Sequence, residues 1–398
     1  MTSRTPEAER TSPTEETFSA DVLKHLKEIY GKRAHEVASA LTTPGKYFYL
    51  RVNTLKTKPT QIIDQLRRSG YKASGHPDIP EAVRIPIEGP LPIPNQLQTV
   101  RVDKFTAESV LLGADIYAPG ILNCRGLRRG KKVMIVDNHG FKVGAGVAKM
   151  SETEILTQRK GLAIKVTHPP YNIPSLRESY EFKEGLVYLQ SLPAMVTSRV
   201  LDPKPGETVV DLTCSPGGKL SHISQLMGGE GIAFGINRNQ RKLALARETV
   251  ERLGCRNVRL VVADGRYLDK DHPEIKADRC LIDPPCTALG VMPKLYDDTT
   301  ASKVEALSAY QKQFMRAASK VVKPSGIIVY SVCTLTIEEC EEVARFGVEE
   351  CGLTVEEQPL TLGSPGIKTV FPAAAKTQRF HPHLHGNGYF IALSRKDA

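Results

Sequence analysis

The chain of 398 residues has no tryptophan, no Cys-x-x-Cys pair and no apolar run long enough to cross a bilayer. The first absence excludes nothing. The second excludes a zinc ribbon and, with no secretory leader, argues against a disulfide framework. Without about 18 consecutive apolar residues, no transmembrane helix is expected. Two nucleotide-binding signatures are also missing: the Walker A spacing with its Lys-Ser/Thr pair, and the dinucleotide Gly-x-Gly-x-x-Gly. Residues 1–20 are rich in Thr, Glu, Ser and Pro and have no apolar centre, so they read as a disordered tail. Eight cysteines in such a chain fit a reducing cytoplasm.

What is present is an ordinary globular composition, 40% hydrophobic and 25% charged, long enough for two or three domains. The net charge of +10 favours a polyanionic partner, because neutralising phosphates releases counterions; a merely basic soluble enzyme has the same balance. Residues 21–96 read as a small α/β unit: a helix over Val22–Tyr30, a strand over Tyr47–Asn53, a helix over Pro59–Ser69, then the proline-marked linker Pro92-Ile93-Pro94. Residues 97–172 carry closely spaced short strands, at Val110–Ala114, Lys132–Val136 and Lys142–Ala148, and so predict a small β-barrel. Between them Arg125, Arg128, Arg129, Lys131 and Lys132 put five positive charges into eight residues, a candidate phosphate-contacting loop.

Residues 173–398 alternate between strands and helices. Strands are predicted at Thr208–Leu212, Gly231–Ile236, Val258–Val262, Arg279–Ile282, Gly326–Ser331 and Gly388–Leu393. Helices fall between them, notably Arg241–Leu253 and Ser302–Val322, which indicates a mainly parallel, doubly wound sheet. Ligands of such sheets bind beyond the carboxyl ends of the strands. There the first strand leads into Asp211-Leu212-Thr213-Cys214-Ser215-Pro216-Gly217-Gly218-Lys219, a glycine loop that opens a helix. Asn237 follows the second strand and Asp264-Gly265 the third, so polar groups stand where ribose hydroxyls and an adenine edge would lie. This series suits S-adenosylmethionine better than NAD. Two further motifs end strands on the same rim, Asp283-Pro284-Pro285-Cys286 and Ser331-Val332-Cys333-Thr334, so two thiols would sit beside the cofactor.

These motifs, in this order, resemble those of the Sun-type RNA (cytosine-5) methyltransferases. The likeness extends to Leu189-Gln190-Ser191-Leu192-Pro193 and to Arg379-Phe380-His381-Pro382-His383, covers about residues 171–395, and includes Arg51-Val52-Asn53-Thr54. The block from Val110 to Leu122 resembles a PUA domain, and that insertion is similar to the tRNA-modifying branch of the family. The resemblance implies a Rossmann-like class I methyltransferase fold with a small N-terminal unit and a PUA barrel. It also implies a monomeric enzyme using S-adenosyl-L-methionine on tRNA, at the last paired cytosine of the acceptor stem (position 72), with the CCA end used for recognition. It further makes Cys333 the nucleophile, Cys286 the group assisting release, Asp283 the contact to the cytosine edge, and Lys219 a cation near the base. The cofactor contacts it implies are Asp211, Cys214, Pro216, Gly217, Gly218, Lys219, Asn237, Arg241, Asp264, Gly265 and Asp283.

From chemistry alone the two cysteines are interchangeable. Either thiolate could add to C6 and make C5 nucleophilic. Two departures from the family pattern are visible: Asn237 stands where Asp is usual, and Leu220 where Thr is usual after Gly-Gly-Lys. Cys124, Cys214, Cys255, Cys280, Cys340 and Cys351 are assigned to packing, Cys214 lying also in the cofactor loop. His381, His383 and His385 alternate along what reads as an extended segment; with no acidic or Cys partner nearby they are given a polar role near the RNA entrance, and no metal. An adenine amino-methyltransferase needs an aromatic residue where Cys286 stands. The remaining competitors are the same chemistry on another RNA such as rRNA, and a non-catalytic PUA-type RNA binder.

Overall fold

The computed structural model describes residues 17–95 and 98–398. Its strands form three sheets.

The first sheet has the order Val187–Leu189, Tyr47–Val52, Ala82–Pro86, Ser74–Gly75, and every pairing is antiparallel. The helix Pro59–Arg68 buries Ile62 and Leu66 against it. One strand thus comes from beyond residue 173, so the unit is completed by chain assigned from sequence to the third domain. Most of the tail 1–20 lies outside the described residues, but its end does not behave as a tail. Phe18 is buried and bridges to Asp297, while Ser19 Oγ caps the helix Ala20–Tyr30 by accepting the Val22 N–H. A lone aromatic and a cap residue suffice to anchor what composition marks as unstructured. This helix packs on Leu289 and Leu335, near the two cysteine motifs rather than on the first sheet.

The second sheet orders six strands as Ile116–Tyr117, Leu162–His168, Lys142–Ala148, Lys132–Val136, Thr99–Val102, Ile121–Asn123. Its two end strands are joined only by Ala118–Gly120. Four Cα steps span at most about 14 Å, whereas six strands laid flat put their ends about 24 Å apart. The sheet must therefore curl round until its ends meet, which is the expected barrel. The strand predicted at Val110–Ala114 is instead the end of the helix Lys104–Leu111 and a turn. Its apolar run faces the barrel interior through Val110 and Leu111, which with Ala107 make the i, i+3, i+4 spacing of a helix, a short run that periodicity alone does not assign.

The third sheet runs Val258–Val261, Ile232–Ile236, Thr208–Asp211, Ala277–Ile282, Val322–Val332, then Tyr389–Lys396, Gln378–Phe380 and Ser364–Pro365. The first five are parallel and Tyr389–Lys396 is antiparallel to its neighbour. Period-two alternation splits the strand side chains between two cores. Val210, Ile282 and Tyr330 meet the helices Ala301–Val321 and Glu341–Cys351, while Val209, Leu281 and Val329 meet Leu192–Leu201, Gly218–Leu226 and Gln240–Leu253. Leu220 is buried in the second of these cores, so its place after Gly218-Lys219 is one of packing. The strand order reverses at Thr208–Asp211, which puts a crevice at its carboxyl end.

Candidate active site

Asp211 ends the central strand and is buried, with Oδ1 accepting the Thr213 N–H at 3.0 Å. Burial raises its carboxyl to about 7, helped by the nearby Asp283 and opposed by the Thr213 N–H and Lys219. The loop then turns into the helix Gly218–Leu226 through Gly217, whose φ of 100° belongs to the left-handed region. A Cβ on Gly218 would lie 2.8 Å from the Tyr188 ring. Gly217 is thus required by the backbone turn and Gly218 by the close approach of the Tyr188 ring. Arg51 fixes that path from the first sheet: Nη1 donates to Gln190 Oε1 at 2.6 Å and to Gly218 O at 2.7 Å, and Nη2 to Ser221 Oγ at 2.8 Å. Asn53 Nδ2 donates to Gly185 O and Leu253 O. The Arg-Val-Asn and Leu-Gln-Ser motifs are therefore two halves of one clasp around the glycine loop.

Two cavities meet at Asp283. The larger, about 380 Å³, is lined by Thr213, Asn237, Arg238, Lys242, Asp264, Gly265 and Asp283, with Leu212, Pro284, Tyr310 and Phe314 as its apolar wall. The smaller, about 210 Å³, is lined by Gln190, Asp211, Cys214, Pro216, Gly218, Lys219 and Asp283 among others. Asp264 is held rigidly: Arg266 donates Nε to Oδ1 at 3.0 Å and Nη2 to Oδ2 at 2.6 Å, which keeps its carboxyl below the ordinary range. Asn237 Oδ1 accepts the Asn239 N–H at 2.9 Å. Of the sequence-derived cofactor residues, Gly217 lines neither cavity and only shapes the turn between them, and Arg241 stands apart altogether. It is exposed on the first turn of its helix and lines neither cavity, and the adjacent Lys242 does so instead. The Cys214 thiol is buried among Leu220 and Leu243, and burial pushes its pKa well up, so the residue contributes backbone and packing. Polar groups at successive strand ends, an apolar wall and a glycine-lined helix start suit an adenosine-bearing ligand with an anionic tail.

The two cysteines meet because their strands are parallel neighbours, in register at Ile282 and Tyr330, so both motifs emerge on one rim. Cys286 Sγ and Cys333 Sγ lie 3.5 Å apart. Beside them Lys219 Nζ donates to Asp283 Oδ2 at 2.6 Å, and Ser331 Oγ and Tyr389 OH reach Oδ1 at 3.1 and 3.4 Å. The thiols are not equivalent. The Cys286 hydrogen bond lowers the Cys333 pKa, with help from Lys219 and Lys294 against burial and Asp283. Cys286 moves the opposite way, through that same bond, burial and the negative charge of Glu339. Either thiol can donate in this contact, and the lysines beside Cys333 favour the negative charge on that side of the pair.

Sequence reasoning left several participants without a role. Ser331 and Thr213 lie inside quoted motifs; Thr213 Oγ1 accepts the Asp283 N–H at 3.1 Å. Tyr389, Lys294 and Glu339 carried no local signal. The histidines also differ from expectation: Pro382–His385 is a helical turn, so His381 N–H reaches His385 Nδ1 at 2.8 Å, and Tyr30 OH meets His381 Nδ1 at 2.9 Å. Proline at the first helical position converts the alternation into an i, i+4 relation. In the barrel, Arg125, Arg128, Arg129, Lys131 and Lys132 are all exposed, and Arg129 pairs with Glu154 at 2.5 Å. Among the described residues, no helix is long and apolar enough to cross a membrane.

The sheet order, the crevice and the inserted barrel define a class I methyltransferase joined to an RNA-binding module. Residues 198–395 match the family described as 16S rRNA methyltransferase RsmB/F, 98–170 the PUA domain, and 22–93 the RsmF/B-like ferredoxin-like domain. A tRNA (cytosine(72)-C(5))-methyltransferase of Pyrococcus horikoshii is 40% identical, over 96% of this chain and 97% of that one. The tRNA (cytosine(72)-C(5))-methyltransferase NSUN6 of Homo sapiens is 29% identical, over 82% and 78%. The crystal structure of NSun6 from Pyrococcus horikoshii with SFG superposes with a TM-score of 0.88 at 40% identity, covering 96% of this chain and 99% of that one. The chain belongs to the Sun-type (RsmB/F) family of RNA cytosine-C5 methyltransferases, with a PUA domain.

Proposed function

We propose that the protein methylates C5 of cytosine 72 in the acceptor stem of tRNA, through a covalent bond between Cys333 and C6 of the base. The observation that carries the chemistry is the 3.5 Å thiol pair, with Cys333 as its acidic member, beside the Lys219–Asp283 pair at 2.6 Å. The choice of tRNA and of position 72 follows the relatives named for that substrate over most of their length.

C5 of cytosine is a poor nucleophile until a thiolate adds to C6. Cys333 is the group for this addition, since Lys219 and Lys294 favour its ionised form. Asp283 stands to hold the amino edge of the base, and Lys219 to balance the charge that develops on the ring. S-adenosyl-L-methionine, held by Asp211, Gly217, Gly218, Asn237, Asp264, Gly265 and Asp283 with the backbone of Cys214 and Pro216, supplies an electrophilic methyl group. After methylation a base takes the C5 proton, the C5–H electron pair restores the C5=C6 bond, and the S–C6 electron pair returns to Cys333, with Cys286 as the donor assisting release. A paired cytosine cannot present C6 to a thiolate, so the base must be turned out of the stem. The PUA domain, with the Arg125–Lys132 loop, would grip the acceptor stem and CCA end, and the enzyme would act as a monomer. Both thiols must be reduced to act in this scheme, and a cytoplasmic location would keep them so.

The test incubates wild type, Cys286→Ser and Cys333→Ser with tRNA and S-adenosyl-L-methionine. Denaturing gels report covalent protein–RNA adducts, and nucleoside mass spectrometry reports 5-methylcytidine and its position. Adduct accumulating only in Cys286→Ser, with Cys333→Ser inactive and adduct-free, supports the assignment. The reverse pattern exchanges the two roles, and methylation at another position removes the substrate assignment.

A further inference from the structure

Glu339 lies six residues beyond Cys333 and is fully buried. Its carboxylate accepts four hydrogen bonds, from Thr287 N–H at 2.9 Å, Thr287 Oγ1 at 2.6 Å, Gln311 Nε2 at 2.9 Å and Thr336 Oγ1 at 3.0 Å, while Thr334 Oγ1, 3.3 Å from it, donates to Thr287 Oγ1. None of these donors is a cation. A buried carboxylate without a cation is costly, and this one is held entirely by neutral donors.

The donors are the neighbours of the reacting thiols. Thr287 follows Cys286 and Thr334 follows Cys333, and their hydroxyls lie 2.6 Å apart. Gln311 Nε2 also donates to Pro285 O at 3.0 Å, so the residues on both sides of Cys286 are tied to the same carboxylate network. Tyr330, on the strand that delivers Cys333, donates its hydroxyl to Glu339 O at 2.6 Å. We propose that Glu339 is a positioning residue that sets the two cysteines against each other and keeps Cys286 as the hydrogen-bond donor to Cys333. The inference rests on the reading of Cys333 as nucleophile and Cys286 as release group.

The charge has a part beyond the geometry. The groups facing the thiol pair are Asp283, Lys219, Lys294 and Glu339, with Tyr330 and Tyr389. The two lysines favour ionisation of Cys333, whereas Glu339 disfavours ionisation of Cys286. When the S–C6 bond breaks, its electron pair returns to Cys333, and a thiol kept protonated 3.5 Å away offers that pair a hydrogen bond. Removing the Glu339 charge should therefore impair release more than addition.

The experiment uses full-length Glu339→Gln, which keeps the shape and removes the charge, with tRNA and S-adenosyl-L-methionine. The expected result is covalent adduct roughly fivefold above wild type although both cysteines are intact, with cofactor affinity within about twofold. The pH midpoint for iodoacetamide alkylation of Cys333 in the free enzyme should rise, because Cys286, no longer kept protonated by the Glu339 charge, competes with Cys333 for the negative charge of the pair. A cofactor-binding Glu339→Gln with wild-type adduct and an unchanged alkylation profile overturns the proposal. If that variant does not bind cofactor, Thr287→Val and Thr334→Val decide, and wild-type adduct and alkylation in both overturns it. Should Cys286→Ser itself trap no adduct, the role assignment fails. If Cys286→Ser traps adduct and Glu339→Gln does not, only the Glu339 inference fails.

Discussion

Lys219 Nζ stands 2.6 Å from Asp283 Oδ2, and the other carboxylate oxygen is taken by Ser331 and Tyr389. Burial works against the Lys219 charge, but Asp283 and then Tyr389 overcome it and raise the ammonium well above its ordinary range. The pair is therefore ionic and oriented before any base arrives. Such preorganised charge, aimed at where charge develops in the reaction, is a large source of transition-state stabilisation.

Lys219→Met should lower single-turnover methylation by about 10²- to 10³-fold, the scale for losing one preorganised electrostatic group. It removes the cation that favours the Cys333 thiolate and leaves Asp283 without its partner. Cofactor affinity, measured by calorimetry, should change much less than the rate. Equal losses in both would show that Lys219 serves binding and not the chemical step.

Asp211 gives a pH prediction. Burial raises its carboxyl from an ordinary value of 3.8 to about 7. The folded protein thus keeps a proton that the unfolded chain releases between about pH 4 and 7. This group's contribution to stability is complete below pH 4, is lost as pH rises to about 7, and is constant above. The shift corresponds to on the order of 4 kcal/mol. Asp211→Asn cannot ionise, so its stability relative to wild type should climb across that window. His222, which burial lowers to about 4, acts in the opposite direction as pH falls from 6.5, but it is common to both proteins and cancels. Urea unfolding of the pair from pH 4 to 8 reads the difference, and a flat difference would sink the assignment.

The parts of this fold that were legible are those set by local repetition. Alternating strands and helices fix a doubly wound sheet, and a motif at each strand end then falls on one rim without further information. The helix expected at Arg241–Leu253 is observed at Gln240–Leu253, because Asn239 caps it and Gly254 ends it. What was not legible depends on partners far away in sequence. Val110–Leu111 reads as strand until the barrel interior assigns it to a helix, and Phe18 reads as tail until Asp297 meets it. Glu339 looks like one more acid in an acidic stretch. Only the fold brings Thr287 and Gln311 to it, from 52 and 28 residues away.

Arg51 is such a long-range tie, and its loss should be felt at the glycine loop. Its guanidinium is buried and donates to Gln190, Gly218 and Ser221 from three directions, with its face on the Tyr188 ring at 5.3 Å. Arg51→Ala leaves Gln190 Oε1 without this donor and takes one bond each from Gly218 O and Ser221 Oγ, which keep the bond between them at 3.0 Å, and should cost about 3 kcal/mol or more. Arg51→Lys should rescue little, since one ammonium cannot reproduce the planar fork. Thermal unfolding measures the first effect. A weaker cofactor affinity in Arg51→Lys, with the protein still folded, measures the second; full rescue by lysine would reduce Arg51 to a simple charge.

The basic loop of the barrel should act through charge and not through shape. Arg128, Lys131 and Lys132 are exposed, while Arg129 is engaged by Glu154. Every phosphate that is no longer neutralised should reduce the slope of log affinity against log salt by about one. Changing Arg128, Lys131 and Lys132 to alanine together should therefore flatten the slope by roughly two to three and weaken all tRNAs alike. Arg129→Ala alone should do less, because its charge is already balanced by Glu154. Fluorescence anisotropy with tRNA over a salt series gives both numbers, and 5-methylcytidine formed at saturating tRNA should stay near wild type. An unchanged slope in the triple variant would move the RNA path off this loop. A slope change in Arg129→Ala as large as in the triple variant would mean that RNA displaces Glu154 and takes the arginine for itself.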